Sequence, residues 1–424
     1  MAGSSMAGGS AGGSAGVVVL GGSAGGSAGG SAGGSAGFPV TLADAYASPM
    51  AADAFVRSRD ATIDPTQLAP DTPGKPAAAP PDIQRWDGWV RTFLGLQALL
   101  EPLVFVPSAL PLRVAGDTDA SYAATPAVQA AQESREVELL VLADPVPSPW
   151  VAGAAGAAAL TVKPLVKLKR PPTATFEAQL AQVLAWADLR GERSSEILAQ
   201  IDNQYGFWGL VVPLHTGRMR HTVDLIELVI QFAVFVEARF KHELNCWRPV
   251  DLSAQVQPML STPGHGSFPS GHATQAYATA YVLARLIGVK APGAAIPAPP
   301  NALRDQQLQR IAARVATNRV VAGLHFPVDN LVGRLLGQSL GEYVVQRCGI
   351  ASATWQPRLF DGAQAVLANE AFDPVVQPLD AGAALPRPAY YADFTTPGAQ
   401  SLAAPNAILA ALWTAAWDEC AYLR

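Results

Sequence analysis

The sequence predicts a helical protein whose second half folds as a four-helix bundle. Four segments of that half carry apolar residues at steps of three and four, the spacing of a helix with one buried face. The loops between these segments hold three of the six histidines of the chain. Helices separated by such loops form a bundle rather than a wound sheet.

Composition excludes several classes of protein. Half of the 424 residues are hydrophobic and 15% are charged, which is incompatible with a disordered tail or a coiled coil. The net charge is −5, without a long basic run, so we do not expect nucleic acid as a partner. The three cysteines lie far apart and form no CxxC pair, which argues against a disulfide framework and a structural zinc site.

No stretch of the sequence is apolar enough to span a membrane. A span needs roughly 18 to 20 strongly apolar residues, whereas the charge-poor stretches here are broken by prolines, histidines or hydroxyl residues. We therefore expect a soluble protein without a membrane partner. The N-terminus lacks the basic region and apolar core of a signal peptide, and the sequence does not identify a compartment.

The first part of the chain divides into two regions by composition. Residues 1–37 have no charged side chain and repeat Gly, Ser and Ala, which predicts a flexible tether, either natural or appended. Residues 38–172 form an N-terminal region of helices and loops, with an amphipathic helix at residues 84–100. Within this region, residues 136–142 fit either a strand or the end of a helix.

The catalytic bundle is predicted over residues 173–348. It opens with a helix at residues 176–201, ahead of the four segments that build the bundle. Those four span residues 221–241, 270–286, 303–321 and 328–344, with Pro327 tolerated at the start of the last. Residues 349–424 carry many prolines and aromatic residues, and we expect them to wrap the bundle as short helices and loops.

Three short blocks contain the polar residues that indicate a site. The first, at the end of an apolar helix, is Lys241-His-Glu-Leu-Asn-Cys-Trp-Arg248-Pro249. The second is His265-Gly-Ser-Phe-Pro269-Ser270-Gly271-His272. The third is Asn318-Arg319-Val-Val-Ala-Gly323-Leu-His325-Phe-Pro-Val-Asp329.

Brought together by the bundle, these blocks would cradle an oxyanion. Lys241, Arg248 and Arg319 supply three cations, and guanidinium groups bind oxyanions in bidentate fashion. Ser270 and Gly271 lie at a helix N-terminus, where the helix dipole and unpaired N–H groups favour an anion. Phosphate and vanadate both fit such a cradle.

The histidines add chemistry to this cradle. One of His272 and His325 can bond the central atom of the anion, while the other acts as general acid or base on the apical oxygen. Asp329, four residues after His325, can accept the second ring N–H and fix the tautomer. It also fits as a favourable charge in the first turn of its helix.

The three blocks in this order resemble one superfamily. The pattern Lys-x6-Arg-Pro, Pro-Ser-Gly-His, Arg-x3-Gly-x-His-x3-Asp over residues 241–329 resembles the vanadium-dependent haloperoxidases and the type 2 phosphatidic acid phosphatases that share their site. Each block alone is short, but the three together are specific. The resemblance covers the C-terminal half and does not extend to residues 1–170. It implies an all-α fold with the oxyanion site in a C-terminal four-helix bundle.

The resemblance also implies a role for each residue of the blocks. His325 would be the metal ligand that bonds vanadium, or the nucleophile that becomes phosphorylated in the phosphatases. His272 would bond the apical oxygen of the vanadate cofactor. The equatorial oxygens would be held by Lys241, Arg248, Ser270, Gly271 and Arg319.

Two further positions bear on the subclass. His265 lies seven residues before His272, where bromoperoxidases resemble this chain in having a histidine and chloroperoxidases carry an aromatic residue. A loop histidine without a role is the alternative for His265. Asn318 departs from the phosphatase pattern, which usually has a serine before the arginine.

We therefore expect a vanadate-dependent haloperoxidase that oxidises halide, with bromide favoured by His265, using hydrogen peroxide. A soluble acid phosphatase with a phosphohistidine intermediate is the alternative on the same scaffold, and an oxyanion-binding module would require His272 to be idle. The expected solubility and the long N-terminal half favour the peroxidase, because the lipid phosphatases of this superfamily span membranes. The sequence identifies neither the organic acceptor nor the oligomeric state, and a homo-oligomer is compatible with it.

Overall fold

The structure is a computed structural model of the chain. It describes residues 88–107, 133–143, 161–202, 204–215, 217–288, 302–350, 353–364, 378–380, 386–394, 398–402 and 405–423. The tether predicted at residues 1–37 lies outside the described residues, as does the start of the helix predicted at residues 84–100.

Most of the described chain is helical. The helices are α1 Gly88–Leu100, α2 Thr173–Trp186, α3 Arg190–Asp202, α4 Tyr205–Trp208, α5 Arg220–Leu244, α6 Pro249–Leu252, α7 Gly271–Gly288, α8 Ala302–Val321, α9 Pro327–Arg347 and α10 Ala407–Glu419. The strands are β1 Leu103–Pro107, β2 Glu136–Leu142, β3 Val162–Lys169, β4 Arg358–Asp361 and β5 Tyr391–Asp393. Among the helices that the structure describes, none is long and apolar enough to cross a membrane.

Four long helices, α5, α7, α8 and α9, confirm the four bundle segments predicted from the apolar spacing. Each begins within one residue of its predicted start. Helix α7 is the central member, because it packs against the other three and is buried on nearly every face. Its sequence suits that position: alanines and threonines keep it narrow, so neighbouring helices approach closely.

The helix predicted at residues 176–201 is two helices. Helix α2 ends at Trp186, a 3₁₀ turn spans Ala187–Leu189, and α3 then begins at Arg190. Each helix buries its own face, with Phe176 and Val183 inward in α2 and Ile197 inward in α3. Apolar spacing continues through the turn, which is why the sequence pattern did not reveal the break.

The expectation of an all-α fold is wrong in one respect, because a five-stranded sheet lies beside the bundle. The strand order is β1-β2-β3-β4-β5; β3 and β4 pair in parallel and the other neighbours are antiparallel. Residues 136–142, left open between strand and helix, form β2, with Val137, Leu139 and Val141 buried in strict alternation. That alternation is typical of a strand with one buried face.

The sheet joins the two regions that flank the bundle. Strands β1 to β3 come from residues 38–172, and β4 and β5 come from residues 349–424, so the C-terminal segment does more than wrap the helices. Arg358 of β4 ties the sheet to α9 through Glu342, at 2.7 Å between Nη2 and Oε1. The same guanidinium group binds Asp380 at 2.8 Å and the Ser339 hydroxyl at 3.1 Å.

Candidate oxyanion site

The three sequence blocks meet where the first turns of α7 and α9 face the last turns of α5 and α8. A hydrogen bond from the backbone N–H of Ser270 to the carbonyl oxygen of Asp329, 2.9 Å long, joins the starts of α7 and α9. Every predicted residue of the cluster is buried except His265, which is half-buried. Two helix N-termini and three cations therefore share one interior region.

Lys241, in the last turn of α5, holds the loop that precedes α7. Its Nζ donates to the carbonyl oxygens of Ser267, at 3.1 Å, and Gly266, at 3.4 Å, and also to that of Pro269. Burial lowers the pKa of the Lys241 ammonium, while the neighbouring Glu237 carboxylate acts in the opposite direction. In this structure Lys241 thus organises the loop that leads to Ser270.

Arg248 connects the loops that carry His265 and His325. Its Nη1 lies 2.9 Å from the Leu324 carbonyl oxygen and 3.2 Å from Nε2 of His325. Its Nε donates to the His265 carbonyl oxygen at 3.1 Å, and Nη2 lies 3.1 Å from Nδ1 of the same histidine. Burial lowers the pKa of Arg248 to about 10, so the guanidinium group stays charged at neutral pH.

The orientation of the His325 ring is defined by hydrogen bonds on both sides. Nδ1 lies 3.1 Å from Oδ2 of Asp329, and Nε2 faces Arg248, which can only donate. Nδ1 therefore carries the proton and Nε2 keeps its lone pair. Burial, with Arg248 and Lys241 nearby, lowers the pKa of His325 well below its ordinary value and keeps the ring neutral.

Arg319, at the end of α8, is fully buried. Its Nη2 donates to the carbonyl oxygen of Ile197 at 3.0 Å and to Oε1 of Gln200 at 3.1 Å, both on α3. Burial lowers the pKa of Arg319 to about 10, and the Glu196 carboxylate partly opposes this effect. The guanidinium group is therefore a fixed cation held from one side by α3.

His272, in the first turn of α7, also contacts α3. Its Nε2 lies 3.2 Å from the carbonyl oxygen of Gln200. A carbonyl oxygen only accepts, so Nε2 carries the proton and Nδ1 has the lone pair. Burial and the nearby Arg319 lower the pKa of His272 well below its ordinary value, so this ring too is neutral at neutral pH.

The buried polar atoms that remain suit an oxyanion. No partner within the described residues is found for the Ser270 hydroxyl, for Nε and Nη1 of Arg319, or for Nδ1 of His272. Buried polar atoms without partners are rare, and a hydroxyl with two guanidinium N–H groups matches the oxygens of phosphate or vanadate. In the part of the chain that the structure describes, no group of three His, Cys, Asp or Glu side chains could hold a bare metal ion.

Gly271 allows the side chain of Glu237 to pack closely against the first turn of α7. A Cβ atom at Gly271 would collide with the carboxylate of Glu237, whose Cδ would be 3.0 Å away. Glu237 lies one helical turn before Lys241 and is buried, and burial raises the pKa of its carboxyl group to about 8. Glu237 was not predicted, because α5 carries several other charged residues and the sequence does not distinguish Glu237 from them.

The structure thus brings all nine predicted residues into one cluster, His265 through its contact with Arg248. Gln200 belongs to the same cluster but was not predicted, since a glutamine near the end of an amphipathic helix is unremarkable in sequence. Cys246, between Lys241 and Arg248, is buried, and burial raises the pKa of its thiol to about 12. This thiol is therefore protonated and unsuited to nucleophilic chemistry.

Part of the chain that carries this cluster matches a known family. Residues 247–350 match the family model described as the VCPO second helical-bundle domain. This segment runs from Trp247 through α9 and contains every residue of the cluster except Lys241, Glu237 and those on α3.

The chain is also similar to curated proteins of two kinds. A vanadium-dependent bromoperoxidase of Ascophyllum nodosum is 32% identical over 24% of this chain and 21% of the relative. A decaprenylphosphoryl-5-phosphoribose phosphatase of Mycobacterium tuberculosis is 34% identical over 20% of this chain and 39% of the relative. The same enzyme of Mycolicibacterium smegmatis is 39% identical over 18% of this chain and 32% of the relative.

These alignments span less than half of each relative. A haloperoxidase and phosphatases are both among the relatives, as the three sequence blocks predicted. The matched part of the helical bundle, residues 247–350, belongs to the superfamily that vanadium-dependent haloperoxidases share with type 2 phosphatidic acid phosphatases.

Proposed function

We propose that the protein is a vanadate-dependent haloperoxidase that oxidises halide, bromide in particular, with hydrogen peroxide. One observation carries the proposal: Nε2 of His325 has its lone pair inside a buried cluster of three cations. A neutral imidazole nitrogen suits a bond to the central atom of an oxyanion, and the cations suit its oxygens.

The residues that would hold vanadate are those of the three sequence blocks, of which Ser270 and Arg319 have donors without partners among the described residues. His325 would ligate the metal through Nε2, and His272 would accept a hydrogen bond from a protonated apical oxygen through Nδ1. The equatorial oxygens would be held by Lys241, Arg248, Ser270, Gly271 and Arg319. When bound, vanadate would supply a Lewis acid that makes peroxide electrophilic toward halide.

The protein groups have separable tasks in this proposal. His272, neutral and with a lone pair on Nδ1, accepts a proton from incoming hydrogen peroxide. Arg248 and Arg319 withdraw charge from the oxygens that they bind. Asp329 holds the His325 ring through Nδ1. His265, at the half-buried edge of the cluster, acts on halide preference through Arg248.

Phosphomonoester hydrolysis is the second candidate, and the similarity to phosphatases favours considering it. Nε2 of His325 would attack phosphorus, forming an N–P bond while the P–O ester bond breaks, and His272 would donate a proton to the leaving oxygen. Water would then cleave the N–P bond, releasing phosphate and free His325. This route needs His272 in its protonated form when the leaving oxygen departs.

The test compares two activities with and without orthovanadate. Metal-free protein is assayed with bromide and hydrogen peroxide, and separately with an aryl phosphate ester. We expect bromide oxidation that depends on added vanadate, and little ester hydrolysis. Ester hydrolysis that vanadate inhibits, without bromide oxidation, would overturn the proposal in favour of the phosphatase.

A further inference from the structure

Gln200 contacts more of the cluster than any sequence motif suggests. It lies on α3 and is fully buried. Its Oε1 accepts from Nη2 of Arg319 at 3.1 Å and from Nδ2 of Asn318 at 3.0 Å, while its Nε2 donates to Glu196 at 3.2 Å. Its backbone oxygen lies 3.2 Å from Nε2 of His272.

These contacts fix the orientation of the Gln200 amide. The two groups facing Oε1 are N–H donors and the group facing Nε2 is a carboxylate. A flipped amide would therefore place its N–H groups against N–H donors and its oxygen against the carboxylate. Glu196 is itself held by Arg314 at 2.9 Å between its Oε2 and Nη2. A chain of hydrogen bonds therefore runs from the surface of α8 to Arg319.

We propose that Gln200 is a positioning residue. Its side-chain amide orients Arg319 toward the oxyanion, and its backbone carbonyl oxygen orients the His272 ring. The inference rests on the proposed oxyanion site, but not on which reaction takes place there. It assigns α3, which precedes residues 247–350, a direct part in building the site.

The identity of the residue matters because an amide is neutral. Gln200 accepts a hydrogen bond from Arg319 without offsetting its charge, so the full cation is available to an anion. A carboxylate at this position would pair with Arg319 and weaken its attraction for a second negative group. The amide thus orients the guanidinium group and preserves its charge.

Asn318, the residue that departs from the phosphatase pattern, belongs to the same arrangement. Its Nδ2 donates to Oε1 of Gln200, and its Oδ1 accepts from Nη1 of Arg193 at 3.4 Å. A serine side chain is shorter than that of asparagine and would have to make both contacts through a single oxygen atom. The departure in sequence is therefore explained by the partner on α3.

The test measures binding of inorganic phosphate to vanadate-free protein by calorimetry. The variants are Gln200→Leu, which removes the acceptor, and Gln200→Glu, which keeps it but adds a charge. The matched control is Gln346→Leu, which removes another buried glutamine whose Nε2 donates to the Leu402 carbonyl oxygen, far along α9. Thermal unfolding of all three variants reports any loss of stability.

We expect Gln200→Leu and Gln200→Glu each to weaken phosphate binding on the order of tenfold to a hundredfold, the range for groups that orient a ligand-binding residue. Gln346→Leu should leave the phosphate affinity unchanged, and its melting temperature should fall by about as much as that of the Gln200 variants. Unchanged phosphate affinity in both Gln200 variants, or equal loss in the Gln346 control, would overturn the inference.

A spectroscopic measurement tests the contact with His272. In protein labelled with ¹⁵N-histidine, the His272 resonances are assigned by their absence in a His272→Asn variant. We expect the neutral ring to carry its proton on Nε2, as the Gln200 carbonyl oxygen requires. A proton on Nδ1 would overturn this part of the inference. Neither experiment uses peroxide, halide or an ester. A wrong assignment of the reaction would therefore not be mistaken for a wrong assignment of Gln200.

Discussion

Oδ2 of Asp329 lies 3.1 Å from Nδ1 of His325, and the same oxygen accepts the backbone N–H of Phe326 at 2.9 Å. Phe326 is the N-cap residue of α9, so one carboxylate oxygen both caps the helix and holds the ring. The two interpretations of Asp329 in the sequence, as a helix-start charge and as a partner of His325, are thus geometrically compatible. Any substitution there tests both at once.

Asp329→Ala and Asp329→Asn should differ in how far they disturb these two contacts. The alanine variant loses the cap and the ring contact, and we expect about 1 kcal/mol less stability and roughly 10- to 100-fold weaker vanadate binding. The asparagine variant keeps one oxygen for both contacts and should be milder in each respect. Denaturant unfolding and vanadate titration check this, and equal behaviour of the two variants would contradict it.

His325→Ala should abolish bromide oxidation, because the nitrogen proposed to ligate vanadium is removed. Binding of inorganic phosphate should survive, since Lys241, Arg248 and Arg319 remain. At saturating vanadate, the loss in His325→Ala should exceed that in Asp329→Ala, and His265→Ala should alter mainly halide preference. Full turnover in His325→Ala would show that His325 does not ligate vanadium and would leave the cluster with a structural role only.

Arg319→Ala and Lys241→Ala should each weaken anion binding. Each lost charge-assisted hydrogen bond is worth roughly 1.5 to 3 kcal/mol, or on the order of tenfold to a hundredfold in affinity. Lys241 also donates to three loop carbonyl groups, so its removal should lower the melting temperature as well. Orthovanadate titration with thermal unfolding separates the two, and unchanged affinity in both variants would place the anion elsewhere.

The sequence predicted the helical core of the site because its determinants are local. Apolar spacing located the starts of the four bundle helices within one residue, and charged groups at the ends of those helices identified the cluster. Gln200 and Glu237 escaped prediction because their importance arises from contacts between helices. Gln200 meets residues more than 70 positions away, a relationship that no local pattern encodes.

The sheet escaped prediction for a related reason. Strand β2 alternates clearly, but β4 is only four residues long and pairs with β3, 192 positions earlier. Such a short segment has no periodicity of its own to distinguish strand from loop. Its position is set by tertiary contacts such as that between Arg358 and Glu342.

Glu419→Gln should reduce stability in a pH-dependent way. The carboxylate of Glu419 accepts the backbone N–H groups of His221 and Thr222 at 3.0 and 2.8 Å, at the start of α5. Burial acts to raise the pKa of Glu419, but these bonds and that from the His221 ring lower it below its ordinary value. A carboxyl group with a lowered pKa stabilises the folded state above its unfolded pKa and loses this effect as the pH falls through the folded value.

We therefore expect wild type to exceed Glu419→Gln by about 1 kcal/mol in unfolding free energy at pH 7. The difference should shrink as the pH falls below about 4.5, the ordinary value for glutamate. Urea unfolding at several pH values measures it. A difference that is constant from pH 7 to pH 3 would mean that the charge contributes nothing.

Gly337→Ala should disturb both the fold and the site, because α7 and α9 touch at this glycine. A Cβ atom there would lie 2.9 Å from Cβ of Tyr277 and closer still to the carbonyl oxygen of Thr274, both in α7. The helices would have to separate, at a cost of typically 1 to 3 kcal/mol for overpacking.

The first turns of the same two helices carry Ser270 and Asp329, joined by their 2.9 Å backbone hydrogen bond. Separation of α7 from α9 should therefore also weaken phosphate binding. Gly191→Ala is the matched control, since a Cβ atom on that helical glycine meets nothing within 4 Å and should be neutral or stabilise by roughly 0.4 to 1 kcal/mol. Urea unfolding and phosphate calorimetry on both variants check the pair, and a Gly337→Ala variant that keeps wild-type stability and affinity would show that this contact does not set the geometry of the cluster.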